Sequence, residues 1–290
     1  MATLTLLLPD LERCEKAPPL AQWLARGDRL TSAKPGREAQ LRECFEFIGT
    51  SLPTAALTRS LDANDATGPV WVRADPAHAM ADAITGRLMA CGDLGLARVE
   101  SDELARALRP LFGDAGFPLE AKQPSRWYLR CPADVRLPRF AAPESVLGDD
   151  LMRHLPSGDN ERQWRRLFNE AQVILHNHPV NARRVQRGLM PANTLWFWGA
   201  GRLPEWVRSA YTRVASGDDL SIALARLAKI PVVEQRTALA ELGADESVLI
   251  DAHAVPELGR ARFKVIDLRF ASGERVRYKP WHRLRFWRRA

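Results

Sequence analysis

Short apolar runs alternate with stretches of helical periodicity along most of the chain, and that alternation restricts it to α/β architectures. Thr3–Leu8 is a short apolar run stopped by Pro9 and Asp10, which reads as a buried strand. Pro69–Ala74, Arg126–Cys131, Thr194–Trp198, Val248–Ile250 and Phe263–Phe270 read the same way. Between them lie helical stretches at Leu20–Ala25, Glu38–Ile48, Thr54–Leu61 and Leu220–Ala228. Another has Ser101 as its N-cap, with Leu104, Ala105, Leu108 and Leu111 on one face. The clearest helix covers 161–176, where Trp164, Leu167, Phe168, Ala171, Ile174 and Leu175 keep helical spacing and Asn169, Gln172 and His176 fall on a polar face. Arg275–Tyr278 is expected to fold back on Phe263–Phe270 through a turn at Ser272-Gly273. The pattern predicts a mainly parallel sheet flanked by helices, with an antiparallel edge.

Domain organisation follows from where the pattern weakens. Residues 69–131 form a strand–helix–strand unit, and 132–160 are rich in Pro, Gly and Asp, as a linker or long surface loop would be. The expectation is a core α/β domain made of 1–68 and 161–274, a small inserted α/β segment with its linker over 69–160, and a basic aromatic C-terminal tail over 275–290. That tail holds seven Lys or Arg and no acid, whereas the rest of the chain is balanced, so the whole excess of +7 is local. Trp281, Phe286 and Trp287 interleave with those charges, a mix suited to an anionic membrane surface, a nucleic acid or an acidic partner. Against this stands the reading that the aromatics pack on the body and the charges are solvated. No apolar run is long enough to span a bilayer, and no signal segment precedes Leu4–Leu8, so a cytoplasmic location is expected. Cys14, Cys44, Cys91 and Cys131 are far apart and form no CxxC pair, so reduced, partly buried thiols are expected.

Chemistry-bearing residues crowd into 175–204, LHNHPVNARRVQRGLMPANTLWFWGAGRLP. His178-Pro179 stops the preceding helix, and Asn181, Arg183 and Arg184 are then expected in a loop. Asn193 leads into the apolar strand, whose carboxyl end carries Gly199-Ala200-Gly201-Arg202. Ligands of open α/β sheets bind at that end of the strands. Glycines there admit an anion to backbone N–H groups, and arginines clamp phosphate or carboxylate. His178, Asn181, Arg184, Asn193, Gly199, Gly201 and Arg202 are thus the candidate anion-binding set for a small phosphorylated or carboxylated ligand. A tight turn, helix capping and backbone hydrogen bonding are the ordinary alternatives for the same residues.

His178-Pro179-Val180-Asn181, Arg184, Gly188, Pro191-Ala192-Asn193 and Gly199-Ala200-Gly201 resemble a stretch of the archaeal-type cofactor-independent phosphoglycerate mutases. Val70–Leu111 and Ala210–Lys229 carry weaker similarity to that family. The LPD start, the RxWRRLxNExQ helix, the LWFWG strand and the FWRR end resemble the bacterial regulatory protein RpfE family over most of the chain. The resemblance implies an alkaline-phosphatase-like fold and a regulatory association.

The mutases use two divalent metals held by Asp and His, and a Ser that accepts the phosphoryl group. Where their first strand ends in Asp-Gly, this chain has Pro9-Asp10-Leu11. Late in the mutase chain an Asp is followed by a Gly-His pair, where this chain instead has Asp251-Ala252-His253 and then Glu257-Leu258-Gly259-Arg260, so one ligand position holds Arg, and the final His-rich metal motif is absent. Thr54, Thr58 and Ser60 lie in the nucleophile region without forming its motif. Asp10, Asp251 and His253 are the candidate metal ligands, and no catalytic residue is nominated. Three readings stand: a degenerate mutase-like protein with a regulatory or anion-binding role; a metal-dependent phosphomutase or phosphatase with a rebuilt site, taking Mn or Zn; and nucleic-acid or membrane-surface binding through the tail.

Overall fold

The computed structural model describes residues 2–14, 19–81, 86–240, 246–252, 254, 263–285 and 287. Along the chain the elements are β1 (Ala2–Leu8), α1 (Leu20–Arg26), β2 (Asp28–Arg29), α2 (Arg37–Arg42), β3 (Glu46–Phe47) and α3 (Thr54–Asp62). Next come β4 (Val70–Ala81), β5 (Gly86–Cys91), α4 (Arg98–Asp114), β6 (Leu119–Gln123), β7 (Arg126–Cys131), α5 (Glu161–His176) and α6 (Pro179–Gln186). The remainder holds β8 (Thr194–Gly201), β9 (Val207–Arg208), β10 (Arg213–Ser216), α7 (Asp219–Leu227), α8 (Gln235–Ala240), β11 (Ser247–Asp251), β12 (Phe263–Phe270) and β13 (Arg275–Tyr278). The chain divides into two compact units, Met1–Ser51 with Pro204–Ala290, and Leu52–Leu203.

The first unit is built on a six-stranded sheet in the order β10-β11-β1-β12-β13-β2. β10, β11, β1 and β12 are parallel, and β13 and β2 continue the sheet antiparallel. β1 lies between two parallel neighbours and is covered on both faces. That is why it reads as a nearly continuous apolar run rather than an alternating one. Leu4, Leu6 and Leu8 pack with Ile250 and Leu268, while Thr5 and Leu7 are buried on the other side. The hairpin expected at Ser272-Gly273 joins β12 to β13.

The second unit is built on an antiparallel sheet around the twelve-residue β4. Arg73 pairs with Tyr128 of β7 and with Trp198 of β8, so these two strands flank β4 on opposite sides. β5 takes over from β7 along the far half of β4, and β6 lies beyond β7. Alternation decides which side chains meet which helices. Val70, Val72 and Ala74 of β4, with Trp127 and Leu129 of β7, share a core with Leu104 and Leu108 of α4 and Leu167 and Ala171 of α5. Trp71 and Tyr128 face the other way and pack on Ala55 and Ala56 of α3. On α5, Trp164 stacks on Phe117 at 5.0 Å and meets Phe197 edge-on at 5.2 Å.

Charged groups are buried on the α3 face of this sheet. Asp75 accepts from Arg73 Nε at 2.9 Å, Trp198 Nε1 at 2.7 Å and the Trp127 amide at 3.2 Å. Burial pushes the Asp75 carboxyl above its ordinary range, and the Arg73 charge and these hydrogen bonds pull against that shift. Arg59 is fully buried over the Trp71 ring at 4.3 Å and pairs with Asp65 and Glu120. Asp75 keeps three donors, the condition under which a buried carboxylate is tolerated, while the partners of Arg59 reach solvent.

Several expectations change. Residues 161–203 belong with 69–160 rather than with the first strand, because β8 pairs with β4 from Ala77↔Thr194 to Trp71↔Gly201 and α5 packs on β8. The supposed linker 132–160 is packed: Pro143, Val146, Leu151 and Leu155 are buried, and Gly148 N–H donates to Leu88 O at 2.8 Å. The helix expected over Glu38–Ile48 ends at Arg42, since Glu46 and Phe47 leave it to pair with Arg208 and Val207. Ser101 does not cap α4. It lies inside the helix, buried, and accepts from Trp127 Nε1 at 3.0 Å. The segment after 275 is no free tail where it is described, as β13 is a strand of the sheet and Pro280–Leu284 forms a 3-10 turn.

Trp196 of β8 is buried, donates from Nε1 to Ala141 O at 2.9 Å and meets Phe168 edge-on at 6.3 Å. Trp196→Ala is expected to destabilise the protein by about 3–5 kcal/mol. Urea unfolding measures this, and an unchanged midpoint would show that the edge strand carries no such packing energy.

Candidate functional site

Parallel register brings the carboxyl ends of β1, β10, β11 and β12 together. Leu7 lies opposite Asp251, Ser216 opposite Asp251 on the other side, and Leu8 opposite Phe270. A cleft of about 260 Å³ opens there, lined by Leu8, Pro9, Arg37, Gln40, Gly217, Asp218, Asp251, Ala252 and Ala271. This is the end of a parallel sheet at which α/β proteins bind ligands.

Its polar groups come from strand ends and from the first turns of two helices. Asp218 caps α7, its Oδ1 accepting from Ser221 N–H at 2.9 Å, so the local S-G-D-D-L-S sequence starts the helix at the strand end. The same Oδ1 accepts from Arg37 Nη2 at 2.9 Å. Arg37 Nη2 also donates to Ser221 Oγ at 3.0 Å and to Asp251 Oδ2. Asp251 Oδ2 further accepts from Ser216 Oγ at 3.0 Å and Ser221 Oγ at 2.5 Å. Burial works against the charge of Arg37, but Asp218 and Asp251 outweigh it and hold its pKa above the ordinary value. Gln40 fixes the other side of the guanidinium. Its Oε1 accepts from Nη1 at 2.8 Å, while its Nε2 donates to Leu8 O and Arg269 O.

A cationic side chain thus sits between the two carboxylates of the cleft. Two divalent ions need roughly six to eight protein ligands. Among the described residues no three His, Cys, Asp or Glu side chains group as such a centre needs. One oxygen of Asp251 already serves three donors. Asp10 does not line the cleft; it precedes a 3-10 turn and faces Arg13 at 3.6 Å. His253 lies outside the described residues. The described residues of the cleft do not fit a dinuclear metal site.

The expected anion-binding residues all lie in the second unit, where their polar atoms hold the fold. The loop expected after His178 is α6, with His178 as its N-cap: Nδ1 accepts from Val180 N–H at 3.2 Å, and burial lowers the imidazole pKa. Asn181 donates to Leu175 O and Ala192 O and accepts from Ala192 N–H, tying α5, α6 and the entry to β8 together. Asn193 exchanges two hydrogen bonds with the Ala79 backbone, extending the pairing of β4. Arg184 is 1% exposed. It donates to Glu100 at 2.6 Å and to the carbonyls of Met190, Leu94 and Gly95 at 2.9, 2.6 and 3.3 Å. Gly199 and Gly201 serve packing, because a Cβ would lie 2.8 Å from Thr54 Cβ at the first and 2.5 Å from Pro53 Cβ at the second. Arg202 donates to Ala133 O. Thr58 and Ser60 donate back to Thr54 O and Leu57 O within α3, and Thr54 is buried at its start.

Sequence reasoning missed Arg37, Gln40, Ser216, Asp218 and Ser221. The readable signal was Ser216-Gly217-Asp218 with Ser221, a helix-start pattern directly after a β-like run. Nothing local marks Arg37. The four cysteines are free, and burial pushes the Cys131 thiol up to about 12, so it stays protonated at neutral pH.

No protein-family model matches the chain. A probable 2,3-bisphosphoglycerate-independent phosphoglycerate mutase of Geobacter sulfurreducens is 39% identical over 62 residues, which is 21% of this chain and 16% of that protein. The enzyme of that name from Methanosarcina barkeri is 32% identical over 97 residues, 32% of this chain and 24% of its own length. The aligned stretches therefore span a quarter or less of these relatives. A solved cofactor-independent phosphoglycerate mutase from Thermoplasma acidophilum superposes over 96% of this chain and 89% of its own, with 17% identity and a TM-score of 0.41.

Arg184→Ala leaves three carbonyls without their donor and Glu100 without its nearest cation. It is expected to cost about 3 kcal/mol of stability. Thermal unfolding checks this, and a melting temperature within about a degree of wild type would show that the arginine does not hold α6.

Proposed function

We propose that this chain is a phosphoglycerate-mutase-related protein whose strand-end cleft binds a ligand rather than catalysing phosphoryl transfer, in the regulatory role that the RpfE resemblance implies. Support for the mutase relationship comes from the local identity of 32–39% to proteins named as such mutases. The observation that carries the loss of their chemistry is the Arg37 guanidinium between Asp218 and Asp251. Phosphoryl transfer of the mutase kind needs divalent ions to polarise the phosphate and a hydroxyl nucleophile beside them. Here the carboxylates at the strand ends are engaged by a fixed cation of the chain itself, whose planar fork gives several simultaneous hydrogen bonds. The hydroxyls of Ser216 and Ser221 point their protons at Asp251 and so brace the carboxylate.

Two carboxylates against one guanidinium leave the cleft locally acidic, which disfavours a phosphate and favours a small molecule carrying hydroxyl or amino donors. Asp218, 38% exposed at its side chain, is the carboxylate such a molecule meets first. Leu8, Pro9, Ala252 and Ala271 supply the apolar wall.

Equilibrium dialysis of the purified protein against Mn²⁺ or Zn²⁺, followed by elemental analysis and a coupled mutase and phosphatase assay, tests this reading. The expected result is no stoichiometric metal and no turnover above the blank. Two tightly held ions per chain with metal-dependent turnover would overturn it.

A further inference from the structure

The positive excess of the chain meets exposed apolar side chains at one fastened element. The 3-10 helix Pro280–Leu284 is fixed at both ends. His282 is fully buried, meets Tyr278 edge-on at 5.6 Å and accepts at Nδ1 from the Lys279 amide at 3.3 Å. Arg285 donates to Asp28 at 2.5 Å and to Arg26 O at 3.1 Å, and Arg26 donates to Arg283 O at 2.8 Å. On this ordered frame Trp281, Leu284 and Trp287 are 53%, 61% and 69% exposed. A 3-10 helix repeats every three residues, so Trp281 and Leu284 share one face while His282 takes the inward one. Single exposed apolar residues are ordinary. Three at a spacing of three, beside a turn held by these four hydrogen bonds, are a presented surface.

Their neighbours in the sequence carry charge of one sign. Residues 279–290 contain Lys279, Arg283, Arg285, Arg288 and Arg289 and no acid. Arg285 is neutralised by Asp28, and its guanidinium lies 4.6 Å from the Trp281 ring centre. Among the described residues no carboxylate pairs with Lys279 or Arg283. Arg29 on the neighbouring β2 is exposed as well. The partner must therefore offer negative charge beside an apolar interior. A bilayer carrying anionic lipids does: indole rings settle at the headgroup level, leucine enters the acyl boundary, and each Lys or Arg near the surface adds attraction. Nucleic acid offers the charge but only base faces for stacking, which suit tryptophan and leave Leu284 unexplained.

We infer that Trp281, Leu284 and Trp287, with Lys279 and Arg283, form a docking surface for an anionic membrane, the three apolar side chains entering the interface and the two cations meeting the headgroups. Flotation of the full chain with vesicles tests it. Binding is expected to be at least about tenfold stronger to vesicles with about 30% phosphatidylserine than to phosphatidylcholine alone, and to weaken steeply at about 0.5 M salt. The double substitution Trp281→Ala with Leu284→Ala is expected to lower binding about tenfold or more while the protein still melts cooperatively, because both side chains are more than half exposed. Leu284→Ala alone should weaken vesicle binding and leave any binding to a single-stranded oligonucleotide untouched. Three outcomes overturn the inference: no flotation with anionic vesicles at low salt, a double variant that floats like wild type, or an oligonucleotide bound more tightly than the vesicles.

Discussion

Parallel pairing fixes where neighbouring strands end, and in the first unit that alignment decides which side chains can meet. β1 lies between β11 and β12, and its register sets Leu7 beside Asp251 and Leu8 beside Phe270. Once Asp251 is at the rim, Ser216 arrives on the adjacent β10 and α7 starts directly above it. A carboxylate in that position is costly without partners. Ser216, Ser221 and Arg37 are those partners, and Gln40 holds Arg37 by anchoring itself on two strand-end carbonyls. The cleft and its charge arrangement follow from strand register more than from any motif.

The second unit uses polar groups for a different end. Its sheet carries an apolar face towards α4 and α5 and, on the side of α3, buried Arg59, Arg73 and Asp75. Asn181, Asn193 and Arg184 join helix ends to strand edges by hydrogen bonding to backbone that would otherwise be buried without partners. A dense run of Asn, Arg and His next to a glycine turn looks like a ligand site in one dimension. In three dimensions the same density is what a helix–turn–helix entry to an edge strand requires. The glycines allow β8 to approach α3, and the arginine closes the carbonyls of the 94–95 turn.

Local similarity to proteins named phosphoglycerate mutases, over a quarter or less of their length, does not by itself fix what this cleft does. A scaffold can persist while its site changes, because packing depends on many apolar positions and catalysis on a few polar ones. At the strand ends of this chain the guanidinium of Arg37 supplies the positive charge between Asp218 and Asp251.

Local patterning determined most of the elements. β1, α5, β7, β12 and β13 fall where apolar runs, helical spacing and turn residues place them, because each is buried along a face that its own periodicity declares. The α/β class was legible for the same reason. Tertiary structure decided the rest. Which unit β8 joins depends on its pairing with β4, more than a hundred residues earlier. Whether 132–160 is loose depends on Val146, Leu151 and Leu155 finding a core that the segment does not contain. Where Arg184 directs its donors depends on carbonyls about ninety residues away. Arg37 was invisible as a site residue, since its partners Asp218 and Asp251 are brought to it only by strand register. Periodicity is written locally, whereas the satisfaction of a buried charge is a long-range property of the folded chain.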